Sequence, residues 1–147
     1  MNRELQLIRR FNLEPGDRVI VPKSLLGLVQ HHALYLGNNE FGEHLMCENV
    51  IGKGVILTRV DYFFQDINGN TRIEKFNGDN LQRKLIVQKA ISKLGSPYSL
   101  INYNCESLCN DVQHNITKSA QVSVGLFVGF VGIMISLLKA DYGKQNF

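Results

Sequence analysis

Short strand-like runs fill the first half of this chain, helical spacing takes over near residue 80, and an uncharged apolar run closes it. These three observations predict an α+β domain with an appended apolar helix. Strands followed by helices favour α+β over an alternating, doubly wound parallel sheet. A length of 147 residues suits one domain with an appendage. There is no internal repeat and no low-complexity tract.

The elements follow in order. Residues 1–14 read as a short amphipathic helix with Leu5, Ile8 and Phe11 on one face. Pro15-Gly16-Asp17 signals a turn. Strand-like runs occupy residues 18–21, 29–36, 43–49, 54–60 and 71–76. Gly37-Asn38-Asn39 and Asn68-Gly69-Asn70 have the chemistry of hairpin turns, so the first half reads as an antiparallel meander. Residues 81–94 then place Val87, Ile91 and Leu94 at helical spacing, with Gly95 as the C′ cap and Ser96-Pro97 as the stop. A further helix is expected to start near residues 102–104, capped by an Asn, and to run towards Asn115.

Residues 120–138 carry no charge, and Lys118 and Lys139 flank them. As a helix this run would reach about 28 Å, close to the ~30 Å hydrocarbon core of a bilayer. The flanking lysines could snorkel to the headgroups. The competing reading is a fully buried core helix, but a small domain has little interior in which to hide a helix that is apolar all round. Gly125 and Gly129 form a GxxxG spacing that can bring two membrane helices together, so self-association through them is an expectation.

Composition narrows the function classes. The net charge is +3 and the basic residues are scattered, with Arg9-Arg10 and Arg83-Lys84 the only adjacent pairs. A nucleic-acid footprint needs clustered Lys and Arg, so nucleic acid is not an expected partner. Cys47, Cys105 and Cys109 make an odd count, and Cys105 and Cys109 are spaced as same-face neighbours on a helix. Residues 1–11 lack the apolar core of a signal peptide. The expectation is a reduced, cytosol-facing domain held by a single C-terminal membrane anchor.

Cys105 is the candidate nucleophile. A free thiol is mostly protonated at neutral pH, but the positive end of a helix favours the thiolate and an imidazole can take its proton. His31 and His32 are the candidate bases. They are adjacent on a strand and so point to opposite faces, and alternation does not choose between them. His44 lies on the next strand, across the Gly37-Asn38-Asn39 turn, and could hold the first imidazole in its productive tautomer. Zinc is disfavoured, because no C-x₂-C pair is present and His44 and Cys47 should face opposite ways. Gly52-Lys53-Gly54 is too short for a phosphate-binding loop. Cys47, Cys109 and His114 read as structural or surface residues.

Taken together, Pro15-Gly16-Asp17, the run from His31 through His32, Ala33, Leu34, Tyr35 and Leu36 to Gly37, then His44-Leu45 and Asn104-Cys105-Glu106 resemble the lecithin:retinol acyltransferase family of H-box/NC proteins. Tyr98-Ser99-Leu100 and Lys118-Ser119-Ala120-Gln121-Val122 are similar to its small phospholipase A/acyltransferase branch. The resemblance spans nearly the whole chain. It implies a circularly permuted NlpC-type (papain-like) domain, with an antiparallel sheet packed on the nucleophile-bearing helix. It implies Cys105 as nucleophile, His31 as base and His44 as the second histidine of a Cys-His-His triad, with no cofactor. Phospholipids are the acyl donors it implies, and a bilayer is where a C-terminal transmembrane helix would keep the enzyme. The domain reading is then catalytic over residues 1–118, anchor over 119–140 and tail over 141–147. His32 stands where the family usually has an aromatic residue, and Ser107-Leu108 where it usually has His-Phe. Two alternatives remain open: an NlpC-type amide hydrolase, and a non-catalytic membrane-tethered interaction module.

Overall fold

A computed structural model describes residues 3–23, 29–65 and 70–144, with side chains as far as residue 133 in the last helix. Its elements run α1 (Arg3–Phe11), β1 (Arg18–Pro22), β2 (Gln30–Asn38), β3 (His44–Val50), β4 (Gly54–Arg59), α2 (Val60–Phe63), β5 (Arg72–Glu74), α3 (Asn80–Ser92), α4 (Cys105–His114) and α5 (Ala120–Lys144). The fold is α+β, built on one five-stranded antiparallel sheet of order β4-β3-β2-β1-β5.

The first four strands form the expected meander. β5 does not continue it. It crosses to the opposite edge and pairs with β1, Arg18 opposite Glu74. Between β4 and β5 lies α2, which the strand pattern concealed: Val60 and Phe63 are buried one helical turn apart. The expected Asn68-Gly69-Asn70 turn begins outside the described residues.

Helices cover both faces of the sheet. Ala33 and Tyr35 of β2 pack with Val19, Val21, Met46 and Phe63 on the α1–α2 side. Leu34 and Leu36 pack with Cys47, Val55, Ala90 and Leu108 on the α3–α4 side. A strand buried on both faces needs apolar residues at successive positions, which is why alternation could not choose a face for His31 or His32. Gly37 ends the buried run with φ +92°, a left-handed conformation, and a Cβ there would stand 3.1 Å from the Pro15 ring.

Two helix faces differ from the expected ones. In α1, Leu7, Ile8 and Phe11 pack on the core while Leu5 is exposed. In α3, Ile86 and Ala90 are buried, while Ile91 and, just beyond the helix, Leu94 are exposed. The small Ala90 lets the helix approach β3 closely, with the Cys47 thiol 3.8 Å from the Ala90 carbonyl. α3 is capped at Lys93 rather than at Leu94, and Gly95 lies further on with φ +79°. Gly95 and Ser96 then exchange backbone hydrogen bonds with Val55, 2.9 Å each, fixing the loop that leads to α4 against the sheet edge.

α5 contains the uncharged run. Among the described residues no helix is long and apolar enough to cross a membrane. The expected transmembrane helix over 119–140 is therefore not met there, and the side chains beyond residue 133 lie outside the described residues. Within the described part, Val124, Leu126, Phe127, Val128, Phe130 and Ile133 are exposed.

Candidate active site

The site begins at the first turn of α4. Asn104 is its N-cap: the side-chain oxygen accepts from the Ser107 N–H at 2.9 Å and from the Ser107 hydroxyl at 3.1 Å. Cys105 is the first helical residue, at the positive end of the helix dipole. Arg18 ties α4 to the sheet, donating to the Glu106 carbonyl at 3.0 Å and to Asn110 Oδ1 at 2.7 Å. The Ser107-Leu108 departure is thus absorbed structurally. Ser107 joins the cap and Leu108 is fully buried in the core.

Cys105 lies against the start of β2, its Sγ 3.8 Å from the Gln30 carbonyl oxygen. Burial raises the pKa of this thiol. Hydrogen bonding and charge from His31, together with the backbone N–H groups of His32 and Glu106, outweigh burial and hold it below the ordinary thiol value. His31 responds in the opposite sense. Burial lowers its pKa, but the hydrogen bonds to Cys105 and Glu48 raise it to about 8.

Glu48 completes the chain of contacts. Its Oε2 is 2.6 Å from His31 Nε2, and its other oxygen accepts from the Thr58 hydroxyl. Burial pushes this carboxyl up, while His31 and Thr58 bring it below the usual range. The result is an acid-supported imidazole beside an activated thiol, with the Phe63 ring stacked on His31 at 6.0 Å. A cavity of about 350 Å³ opens beside His31, lined also by Glu48, Thr58, Val21, Pro22 and Phe63.

Of the residues singled out from the sequence, Cys105 and His31 are brought together and His44 is not. His44 sits at the far end of the β2–β3 pair, opposite Asn38, with Nδ1 2.7 Å from the Tyr35 hydroxyl. The reason is register. A turn centred on Asn38 would have set His44 opposite His32 and next to His31. Instead Gly37 and Asn38 belong to β2, the hairpin closes between Asn39 and Glu43, and a bulge between Tyr35 and Gly37 shifts the pairing. Ala33 therefore faces Glu48. Glu48 was not singled out because its place depends on that register; its only sequence signal is an acidic residue directly after the apolar run Leu45-Met46-Cys47.

His32 turns away from the site. Burial and the nearby Arg18 charge lower its pKa to about 4, so it is neutral at pH 7. Cys47 and Cys109 are buried, free thiols pushed up to about 12, which makes them poor nucleophiles. Among the described residues no group of three His, Cys, Asp or Glu is arranged to hold a metal ion.

A thiol at a helix N-terminus, an imidazole on the adjoining strand and a carboxylate behind it form the kind of site used by thiol-nucleophile proteins. The family model for lecithin retinol acyltransferase matches residues 11–117. The chain belongs to that family, and membership implies activity of the thiol acyltransferase or phospholipase type at family level. No curated protein and no solved structure matches the chain.

Proposed function

We propose that this protein removes a fatty-acyl group from a glycerophospholipid through a thioester on Cys105. The observation that carries the reading is the Cys105–His31–Glu48 constellation within a domain of this family. The Cys105 thiolate attacks the ester carbonyl. N–H groups at the start of α4 stabilise the oxyanion, a contribution of a few kcal/mol in such sites. The His31 imidazolium protonates the departing glycerol oxygen, and the lysophospholipid leaves. His31 then takes a proton from water, giving phospholipase A chemistry, or from an amine or lysolipid, giving acyl transfer. Attack on the thioester restores Cys105. Glu48 orients His31 and stabilises its charged form, the role that the family resemblance gave to His44.

In the same reading, residues 1–118 are a circularly permuted NlpC-type unit facing the cytosol and residues 119–140 associate with the lipid surface; the tail expected from residue 141 is not met in the described residues, where α5 continues to Lys144. The exposed apolar side chains of α5 support a lipid contact. Gly125 and Gly129 have open space around them, which supports self-association through that helix. An amide-hydrolase reading uses the same catalytic residues but gives that apolar face no role.

Intact-protein mass spectrometry after mixing with phosphatidylcholine vesicles tests the proposal. A hydroxylamine-sensitive acyl adduct, or release of fatty acid and lysolipid, is expected for the wild type and not for Cys105→Ala. Absence of adduct, fatty acid and lysolipid with the wild type would overturn it.

A further inference from the structure

The motif Lys118-Ser119-Ala120-Gln121-Val122 has no part in the chemistry above, yet three of its members converge on the residues that build the site. Glu106, directly after Cys105 and buried, turns its carboxylate to the start of α5. Its Oε2 accepts from the Ser119 hydroxyl at 2.5 Å, the Gln121 N–H at 3.1 Å and Gln121 Nε2 at 3.4 Å. Ser119 also caps α5 in the ordinary way, its Oγ accepting from the Val122 N–H at 3.3 Å. The N-terminal N–H groups of α5, which have no partner within their own helix, are thus satisfied partly by a carboxylate from α4.

Gln121 reaches past Glu106 to β2. Its Oε1 accepts from the Gln30 N–H at 3.0 Å, and its Nε2 lies 3.4 Å from the Gln30 carbonyl oxygen and 3.3 Å from His32 Nε2. Gln30 thus has both backbone polar groups held by one side chain. That residue precedes His31, and its carbonyl is the group against which the Cys105 thiol rests. A second tether reinforces the seat: Asn110 Nδ2 donates to the Lys118 carbonyl at 2.7 Å.

We propose that Gln121 is a positioning residue for Cys105 and His31, and that with Ser119 and Glu106 it gears the seating of the apolar helix α5 to the reactivity of the thiol. The geometry gives two routes from α5 to the nucleophile: through Glu106 into the first turn of α4, and through Gln30 into the strand that carries His31. Loss of the Gln121 amide frees the end of β2 and lets the His31 ring and the Cys105 thiol separate. Small misplacements of this kind are costly in reacting pairs.

This inference rests on Cys105 being a reactive thiol, and its test does not need a lipid substrate. The rate of Cys105 alkylation by iodoacetamide is followed against pH in the full-length chain. Wild type is compared with Gln121→Met, which keeps much of the volume without the hydrogen bonds, and with Ser119→Ala and Ser119→Thr. The expected result for Gln121→Met is about a tenfold slower reaction at pH 7, with the midpoint of the profile moved to higher pH. Ser119→Ala should shift the profile in the same direction, and Ser119→Thr, which keeps the hydroxyl, should restore it. Melting curves accompany each variant. A lower melting temperature with an unmoved alkylation profile would mean that Gln121 is merely structural, and would overturn the inference. A shifted profile in a protein that forms no acyl adduct with lipid would uphold the gearing and count against phospholipid as the donor.

Discussion

At one end of the β2–β3 pair His31 lies between a thiol and a carboxylate; at the other, His44 lies against a tyrosine hydroxyl. Both imidazoles have a close partner, 2.6 Å for His31 to Glu48 and 2.7 Å for His44 to Tyr35. Their surroundings separate them. His31 is buried, and its two acidic neighbours raise its pKa. His44 is half-buried and its partner is a phenol whose own pKa burial pushes up to about 12. A hydrogen bond to a strand neighbour is common to both ends. A nucleophile within reach is found at only one, and what puts it there is the docking of the α4 N-terminus at the start of β2. The comparison teaches that which imidazole meets the thiol follows from strand register more than from residue type.

The largest effect that would break this comparison is at the nucleophile. Cys105→Ala should lower acyl release by at least ~10³-fold, read as fatty acid freed from vesicles. Next, Glu48→Gln should lower the acylation rate by roughly 10²–10³-fold, whereas His44→Ala should stay within about threefold and cost about 1 kcal/mol of stability through the lost Tyr35 hydrogen bond. Stopped-flow acylation with a chromogenic ester separates the two. Equal losses at Glu48 and His44 would remove the distinction drawn here.

Two pH effects follow at smaller scale. His31 has its pKa raised by Cys105 and Glu48 to about 8, against the pull of burial. The stabilisation its charged form provides is complete below the unfolded value near 6.5 and is lost as pH rises through about 8. Acylation should therefore decline above pH 8, about tenfold per pH unit, as the imidazolium that protonates the leaving group disappears. A pH–rate profile that keeps rising past pH 9 would contradict this. His32 works the other way. Burial and Arg18 depress its pKa to about 4, so between pH 6.5 and 4 the unfolded chain takes up a proton that the folded chain refuses. Folding stability should fall across that window by about 3 kcal/mol at most. His32→Phe should flatten that slope in thermal melts at pH 7 and pH 5.

The sequence made some of this legible. Asn104 followed by Cys105 announced a helix start with a thiol in its first turn, because capping chemistry is local. The four meander strands were visible in their β-branched and turn residues. What was not legible depended on distant geometry. β5 crosses to β1 instead of pairing with β4, a choice of edge that local residue pattern does not encode, and the four-residue α2 on the way is too short to show a period. The buried face of α3 was misread because Ile91 and Leu94 are apolar but exposed, while the small Ala90 lies at the contact. Glu48 was hidden by the same Gly37 bulge and Asn39–Glu43 closure that carried His44 away. A register error of a few residues exchanges one end of a hairpin for the other.

The measurement that tests the central claim most directly is the pH profile of Cys105 alkylation in wild type, Glu48→Gln and His44→Ala. Cys47 and Cys109 are buried and their thiols are pushed up to about 12, so the rapid phase reports Cys105. The account predicts a reactive thiolate below the ordinary thiol range in wild type, the same profile in His44→Ala, and a profile displaced to higher pH in Glu48→Gln. Displacement in His44→Ala with none in Glu48→Gln would contradict it.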